Sequence, residues 1–332
     1  MCRTVQTGVF MIERRPLVND LYTADPSAHV FNGKIYIYPS HDEDIDVENN
    51  DNGDQYDMKN YHVYEMKDTE TYPRDCGCVF TLDDVKWASK QLWAPDCVER
   101  NGKYYFFFPA RDKTGMFRVG VAVGDKPEGP FKPEDNYIQG TYSIDPCCFP
   151  DTDGKYYLTF GGVWGGQLDQ YRNNTWSADN KEPREEEACT PKIALMKDNM
   201  TELAEAPRNL VILDKNGKPL LGKDEDRRYF EDPWLFKKGD TYYFTYSTGT
   251  THLLCWATSK NVYGPYTYGG KILTPVLGWT THHSILEYNG KWYLFYHDCE
   301  RSNGVNQKRN VKFRELKFDD KGGIITMDGS DR

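Results

Sequence analysis

Acidic residues beside proline recur along the chain, at Asp25-Pro26, Asp145-Pro146 and Glu231-Asp232-Pro233. Trp93-Ala-Pro-Asp96 adds an acid near a tryptophan, and Thr281-His282-His283-Ser284 puts two histidines at a fifth place. Proline presets its own φ and biases the preceding residue toward an extended conformation, which would fix each carboxylate's direction. Taken singly, such acids cap turns, as aspartate often does. Brought together, they suit acid–base chemistry. One carboxyl, kept protonated, protonates a leaving oxygen, while a second, kept ionised, activates water. Glycosidic hydrolysis needs that pair, and flat aromatic side chains pack well on sugar rings.

Residues this far apart in sequence meet only if a repeated element carries them. One element is written five times: a glycine turn followed by a short aromatic strand. The copies start at Asn32-Gly33-Lys34, Asn101-Gly102-Lys103, Asp153-Gly154-Lys155, Lys238-Gly239-Asp240 and Asn289-Gly290-Lys291. Asn-Gly and Asp-Gly supply the positive φ of a tight hairpin, and the aromatic runs suit half-buried strands. A strand is expected before each turn, at 28–31, 97–100, 147–150, 234–237 and 284–288. Further strands are expected at 120–123 and 253–258, before Gly129-Pro130 and Gly264-Pro265. Five hairpin units with almost no helical periodicity predict an all-β, five-bladed β-propeller. A sandwich would not need one signature five times, and a β-helix repeat is far shorter. The inner strand of each blade lines the central channel, so the acids would converge at one mouth. Residues 42–57, 173–187 and 214–228 read as polar loops decorating the blades, and no linker divides residues 1–332, so one domain is expected.

Composition narrows the partners. The 332 residues carry 41 basic and 51 acidic side chains, a formal charge of −10, which disfavours nucleic acid. No apolar run approaches a membrane span, and no polybasic or amphipathic membrane segment is present. The stretch 9–12 is too short for the apolar core of a secretory signal, so a cytoplasmic location is expected unless a signal has been removed. Nine scattered cysteines fit a reducing compartment rather than a disulfide framework. Cys76-Gly-Cys78 lacks a second pair at zinc spacing and reads as free thiols. No serine-hydrolase elbow, His-Glu-x-x-His or dinucleotide fingerprint appears.

In this order, Tyr22-Thr-Ala-Asp25-Pro-Ser, Leu92-Trp-Ala-Pro-Asp96, Tyr142-Ser-Ile-Asp145-Pro, Arg228-Tyr-Phe-Glu231-Asp-Pro-Trp234 and Gly278-Trp-Thr-Thr-His282-His-Ser resemble glycoside hydrolase family 43. The resemblance covers about residues 17–325. It implies a five-bladed propeller enzyme that inverts anomeric configuration, acting on xylan and arabinan fragments. It implies Asp25 as general base, Glu231 as general acid, and Asp145 as the carboxylate that raises the acid's pKa and holds it. Inversion predicts a base-to-acid separation of about 6.5–9.5 Å. Arg309 matches an arginine that bonds sugar hydroxyls, against the plainer reading of a strand-edge charge. Trp93 and Trp164 are expected as walls of the sugar pocket. His282 matches a histidine near the axis that reaches a calcium ion or an ordered water. Read from the residues alone, it hydrogen-bonds the acids. His283 is carried as a further substrate-side candidate, although an extended segment would turn it elsewhere. Asp232 stands where many relatives have Ala or Gly, and strand alternation would point it away from Glu231.

The expected substrate is a short xylo-oligosaccharide cleaved from its non-reducing end, with removal of α-L-arabinofuranosyl side chains as the alternative. No organic cofactor is expected. A non-catalytic carbohydrate-binding propeller and a retaining fructan-active propeller are the competing classes.

Overall fold

The computed structural model describes residues 12–45 and 47–331. The start of the N-terminal stretch, with Cys2, and Asp46 of the acidic loop lie outside the described residues. Five small, mainly antiparallel sheets form a closed ring, a five-bladed β-propeller, and no α-helix occurs among the described residues. The innermost strands are Tyr22–Phe31, Asp96–Arg100, Cys147–Pro150, Glu231–Lys238 and His283–Tyr288. Each contacts the next, and the fifth contacts the first.

The turns explain the hairpins. Asn32-Gly33, Asn101-Gly102 and Asn289-Gly290 all hold positive φ at both residues, between 51° and 76°. That geometry twists two strands in the sense a sheet requires. The pairings Phe31↔Lys34, Arg100↔Lys103 and Tyr288↔Lys291 close two-residue loops. The strands expected at 120–123 and 253–258 lie within or overlap Phe117–Gly124 and Leu254–Ser259; each is third in its blade, with a fourth strand beyond the Gly-Pro turn.

Aromatic side chains fill the wedges between blades. Tyr38, Tyr61, Phe80, Phe106 and Phe108 pack between the first two blades, most with no exposed surface. Ring closure uses the chain's beginning. The backbone amides of Arg14 and Leu17 donate to Phe313 and Val311, both at 2.9 Å, on the outermost strand of the fifth blade. Ile12, Leu17 and Val18 then pack with Ala28 and Ile35 of the first blade and Val311 and Phe313 of the fifth. Backbone bonding and apolar burial thus join first and last blades and cover the outer edge of the fifth sheet.

The channel is plugged. Fully buried Asp96 accepts from Ser27 Oγ at 2.5 Å and from the Cys148 amide at 2.6 Å, and meets His29 Nε2 at 2.6 Å. One carboxylate therefore ties three inner strands together. Asp96 is structural here and does not line the cavity described next.

Candidate active site

The first, third and fourth inner strands deliver their acids through one backbone device. Asp25, Asp145 and Asp232 have φ of 50°, 56° and 64°. The extended conformation expected before proline is not what forms. Proline excludes the right-handed helical region for its predecessor, and aspartate tolerates the left-handed one. In the first and fourth blades the irregularity shifts the ladder register, between Ala24 and Ser27 and between Glu231 and Trp234. A bulge breaks strand alternation. Asp232 is therefore the positional equivalent of Asp25 and Asp145, with Glu231 one residue earlier. Asp232 does not swing out to solvent: it is 1 % exposed and turned toward the axis.

Asp25, Asp145 and Glu231 meet on the wall of a cavity of about 330 Å³. Ile144, Tyr56, Met58, Ala94, Thr280, His282, His297 and Arg309 line it with them, and Trp93, Trp164 and Trp279 form its sides. Trp93 is half-buried and braced by the tilted ring of Phe117, ring centres 4.7 Å apart, while its Nε1 donates to the Tyr56 carbonyl at 2.8 Å. Trp164, 42 % exposed, stands at the rim with its edge against Phe230, and its Nε1 donates to Glu182 at 3.0 Å. Glu182 comes from the 173–187 stretch, so that stretch does more than decorate. Trp279, also exposed, was quoted in the sequence motif without a role.

Electrostatics separate the acids. Burial alone would push Asp25 upward. Arg309 Nη1 donates to its Oδ1 at 2.9 Å, Ser40 donates to Oδ2, and together with the nearby histidines they hold the carboxyl at about 2. His282 and His297 contribute little charge near neutrality, because burial lowers them to about 4 and about 3. Glu231 moves the other way, to about 8, through burial and then the negative charge of Asp25. Asp145 and Glu231 do interact by like charge, and for each of them burial comes first. Asp145 is itself pushed well up, by burial and then by Glu231, and its Oδ2 accepts from the Asp232 amide at 3.0 Å. Like charges this close cannot all ionise together.

Arg309 is no strand-edge charge. It is 9 % exposed, and its Nε and Nη2 fork onto Asp42 at 2.9 and 2.7 Å. Asp42, read as the start of a solvated acidic loop, ends the strand Lys34–Asp42 and is buried. His297 is a second residue the sequence did not single out. Its Nδ1 accepts from the Asp25 amide at 3.1 Å and its Nε2 donates to the Thr280 carbonyl at 3.2 Å.

His282 Nδ1 lies 3.8 Å from Asp25 Oδ1 and 4.0 Å from Asp145 Oδ2, and its Nε2 lies 2.9 Å from Asp232 Oδ1. His283 does not reach the cavity. Its side chain is fully buried behind it, with Nδ1 on Asp232 and Nε2 2.7 Å from Thr245 Oγ1. The bulge at Asp232 puts an acceptor under His283, so the substrate-side expectation for this residue fails. Calcium favours six to eight oxygen ligands. Among the described residues no set of three His, Cys, Asp or Glu is arranged to hold a metal. An ion at His282 would have to draw its shell from water, so these side chains do not build a calcium site by themselves.

Comparison with known proteins follows the geometry. The model of the glycosyl hydrolases family 43 matches residues 14–324. A protein from Humicola insolens named xylosidase/arabinosidase 43A is 54% identical over 94% of this chain and 98% of its own length. A β-xylosidase from Xylanibacter ruminicola is 51% identical over 92% of this chain and 97% of its own. A solved family 43 β-xylosidase/α-arabinofuranosidase from a compost microbial metagenome, in complex with xylotriose in a calcium-free form, superposes with a TM-score of 0.93 at 51% identity, covering 95% and 97% of the two chains. The chain belongs to the glycosyl hydrolases of family 43.

Proposed function

We propose that this glycoside hydrolase removes single β-1,4-linked xylosyl residues from the non-reducing end of xylo-oligosaccharides with inversion, and that the same pocket accepts terminal α-L-arabinofuranosyl groups. The observation that carries this reading is the opposed ionisation of two carboxyls on one cavity wall, Asp25 held near 2 and Glu231 raised to about 8. Between those values one is a base and the other still holds a proton. A blind cavity supports exo action: Asp232, His283 and Thr245 fill the axis behind it, so a chain can enter only by its end. Relatives at 54% identity named xylosidase/arabinosidase support both sugars.

In this mechanism the terminal sugar sits at the base of the pocket against Trp93. Asp25 Oδ1 or Oδ2 takes a proton from a water as that water attacks the anomeric carbon. Glu231 gives its proton to the departing glycosidic oxygen. Arg309 keeps Asp25 ionised and offers guanidinium N–H groups to the sugar hydroxyls. Asp145 orders the site through the Asp232 amide, and its closeness to Glu231 disfavours both groups being ionised at once.

Proton NMR of a β-xyloside digest tests the stereochemistry. The α-anomer of xylose should appear first, and a β-anomer would overturn inversion. Hydrolysis of p-nitrophenyl xyloside and arabinoside by wild type and Glu231→Ala tests the acid. Equal rates would overturn its assignment and favour a binding propeller.

A further inference from the structure

A buried arginine outside the cavity holds the cavity's mouth in place. Arg111, on the strand Lys103–Asp112, is 4 % exposed and is absent from the pocket surface. Among the described residues no carboxylate pairs with it. Every hydrogen bond it makes goes to a carbonyl or amide oxygen. Nε donates to Gln91 Oε1 at 2.6 Å and Nη1 to the Gly115 carbonyl at 2.9 Å. Nη2 donates to the carbonyl and to Oδ1 of Asn52, both at 2.9 Å, and reaches the Gly165 carbonyl at 3.4 Å. The guanidinium lies 4.4 Å from the centre of the Phe117 ring, the ring that braces Trp93.

These partners belong to the walls of the active site. Asn52 lies in the 47–57 segment, whose Asn49, Asn50 and Asp51 are exposed at the cavity rim. Gly165 follows Trp164 on the facing rim, and a Cβ on Gly165 would come within 3.3 Å of the Asp51 carbonyl, so the two rims touch. Gln91 closes the frame, donating from Nε2 to the Gly53 carbonyl at 2.8 Å. Gly53 itself lies on Trp93: a Cβ there would stand 2.6 Å from Cη2 of the indole, and its φ is +75°. Lys90 adds an ion pair to Asp54 at 2.7 Å.

Asp54 lies near enough to act on the Arg111 charge but does not pair with it, and a buried cation bonded only to amide and carbonyl oxygens loses hydration that those dipoles only partly replace. The planar fork returns geometry for that cost, since one rigid group fixes several acceptors at once. The cavity's depth also sorts its lining. Asp25, Asp145 and Arg309 are buried and Glu231 half-buried, while the 49–51 segment, Trp164 and Trp279 are exposed. A chain entering by its non-reducing end places its leaving portion at that exposed rim.

We propose that Arg111 is a positioning residue for the leaving-group side of the pocket, locking the 47–57 wall against Trp93 and the Gly165 rim and so setting how well longer oligosaccharides are held. This rests on the exo-xylosidase reading above. Arg111 touches no substrate and leaves the acids untouched.

Arg111→Ala tests it on xylotriose and on p-nitrophenyl xyloside, whose leaving group makes little use of the rim. KM for xylotriose should rise about tenfold, while kcat and the p-nitrophenyl xyloside rate change by less than about threefold. Arg111→Lys should not restore KM, because an ammonium cannot span the same acceptors. A second readout needs no catalysis: a glutamate-specific protease should cut after Glu48 faster in Arg111→Ala than in wild type. If wild type hydrolyses no xyloside, the functional reading fails, and the cleavage rate still decides the role of Arg111. Unchanged cleavage, or a fall in kcat on both substrates with KM held, overturns the proposal. Should Arg111→Ala not fold, Gly53→Ala displaces the wall where it lies on Trp93. It should raise KM for xylotriose in the same way, and a wild-type KM there overturns the proposal as well.

Discussion

Arg309 donates from Nη1 to Asp25 Oδ1 at 2.9 Å while its Nε and Nη2 fork onto Asp42, so one buried guanidinium is shared between the candidate base and a carboxylate from the neighbouring strand. Asp42 thereby fixes where the positive charge points. Removing the charge with Arg309→Met should let the base's pKa rise from about 2 toward or above the ordinary carboxylate range. A base works only when ionised, so the acid limb of kcat/KM should move to higher pH. The measurement is a kcat/KM profile between pH 3 and 9. An unmoved acid limb would mean that Arg309 does not control Asp25.

Asp42→Asn makes a separate claim. The amide keeps one acceptor but loses the charge-assisted fork, and breaking a buried pair costs on the order of 3–5 kcal/mol. The variant should unfold earlier and lose activity by about 10- to 100-fold, with kcat affected more than KM. Denaturant unfolding and steady-state kinetics on p-nitrophenyl xyloside check the two parts.

Asp42 also marks where the sequence stops being readable. The hairpins were legible because Asn-Gly forces its own turn, and the ring followed from five repetitions of it. Asp25, Asp145 and Glu231 were legible because they begin inner strands. Ser40, Asp42 and His297 lie at the far ends of the second strands, and antiparallel pairing returns those ends to the same mouth, as Ala24↔Ser40 and Tyr22↔Asp42 show. Nothing local in the sequence marks that return. His283 was misplaced as a substrate-side residue, although strand alternation already turned it away from its neighbour. Asp232 does leave the wall that Glu231 lines, but the bulge at Asp232-Pro233, not plain alternation, puts it under His283. Calcium at His282 has no side-chain signature beyond the histidine itself.

Asp232→Asn probes the buried axis. The Asp232 carboxylate faces His282 Nε2 at 2.9 Å and takes both the backbone amide and Nδ1 of His283. Burial pushes the Asp232 carboxyl well above the ordinary carboxylate range, and the neighbouring Asp145 and Glu231 add to it. Replacing the carboxyl should free His282 from its orientation and cost about 1–3 kcal/mol of stability, as leaving buried donors poorly matched does. Activity should fall without a change in first-formed anomer, because neither Asp25 nor Glu231 is removed. A variant with wild-type Tm and rate would make Asp232 a bystander.

Glu231→Gln should separate catalysis from stability. Burial and the charge of Asp25 push Glu231 up to about 8 in the folded chain, above the ordinary glutamate range near 4.5, so above about pH 4.5 the unfolded chain releases its proton first. The folded form then binds more protons than the unfolded form, and stability falls as pH rises toward 8. Glutamine has no proton to lose and escapes this penalty. The variant should therefore show a Tm above wild type by a few degrees at pH 8, with the gain shrinking toward pH 4. Its rate on xylobiose should drop by roughly 10²–10⁴, the usual worth of a positioned acid. The drop should be smaller on p-nitrophenyl xyloside, whose leaving group needs less protonation. A Tm difference that does not depend on pH would show that Glu231 is not held protonated by its surroundings, and the assignment of the acid would fall with it.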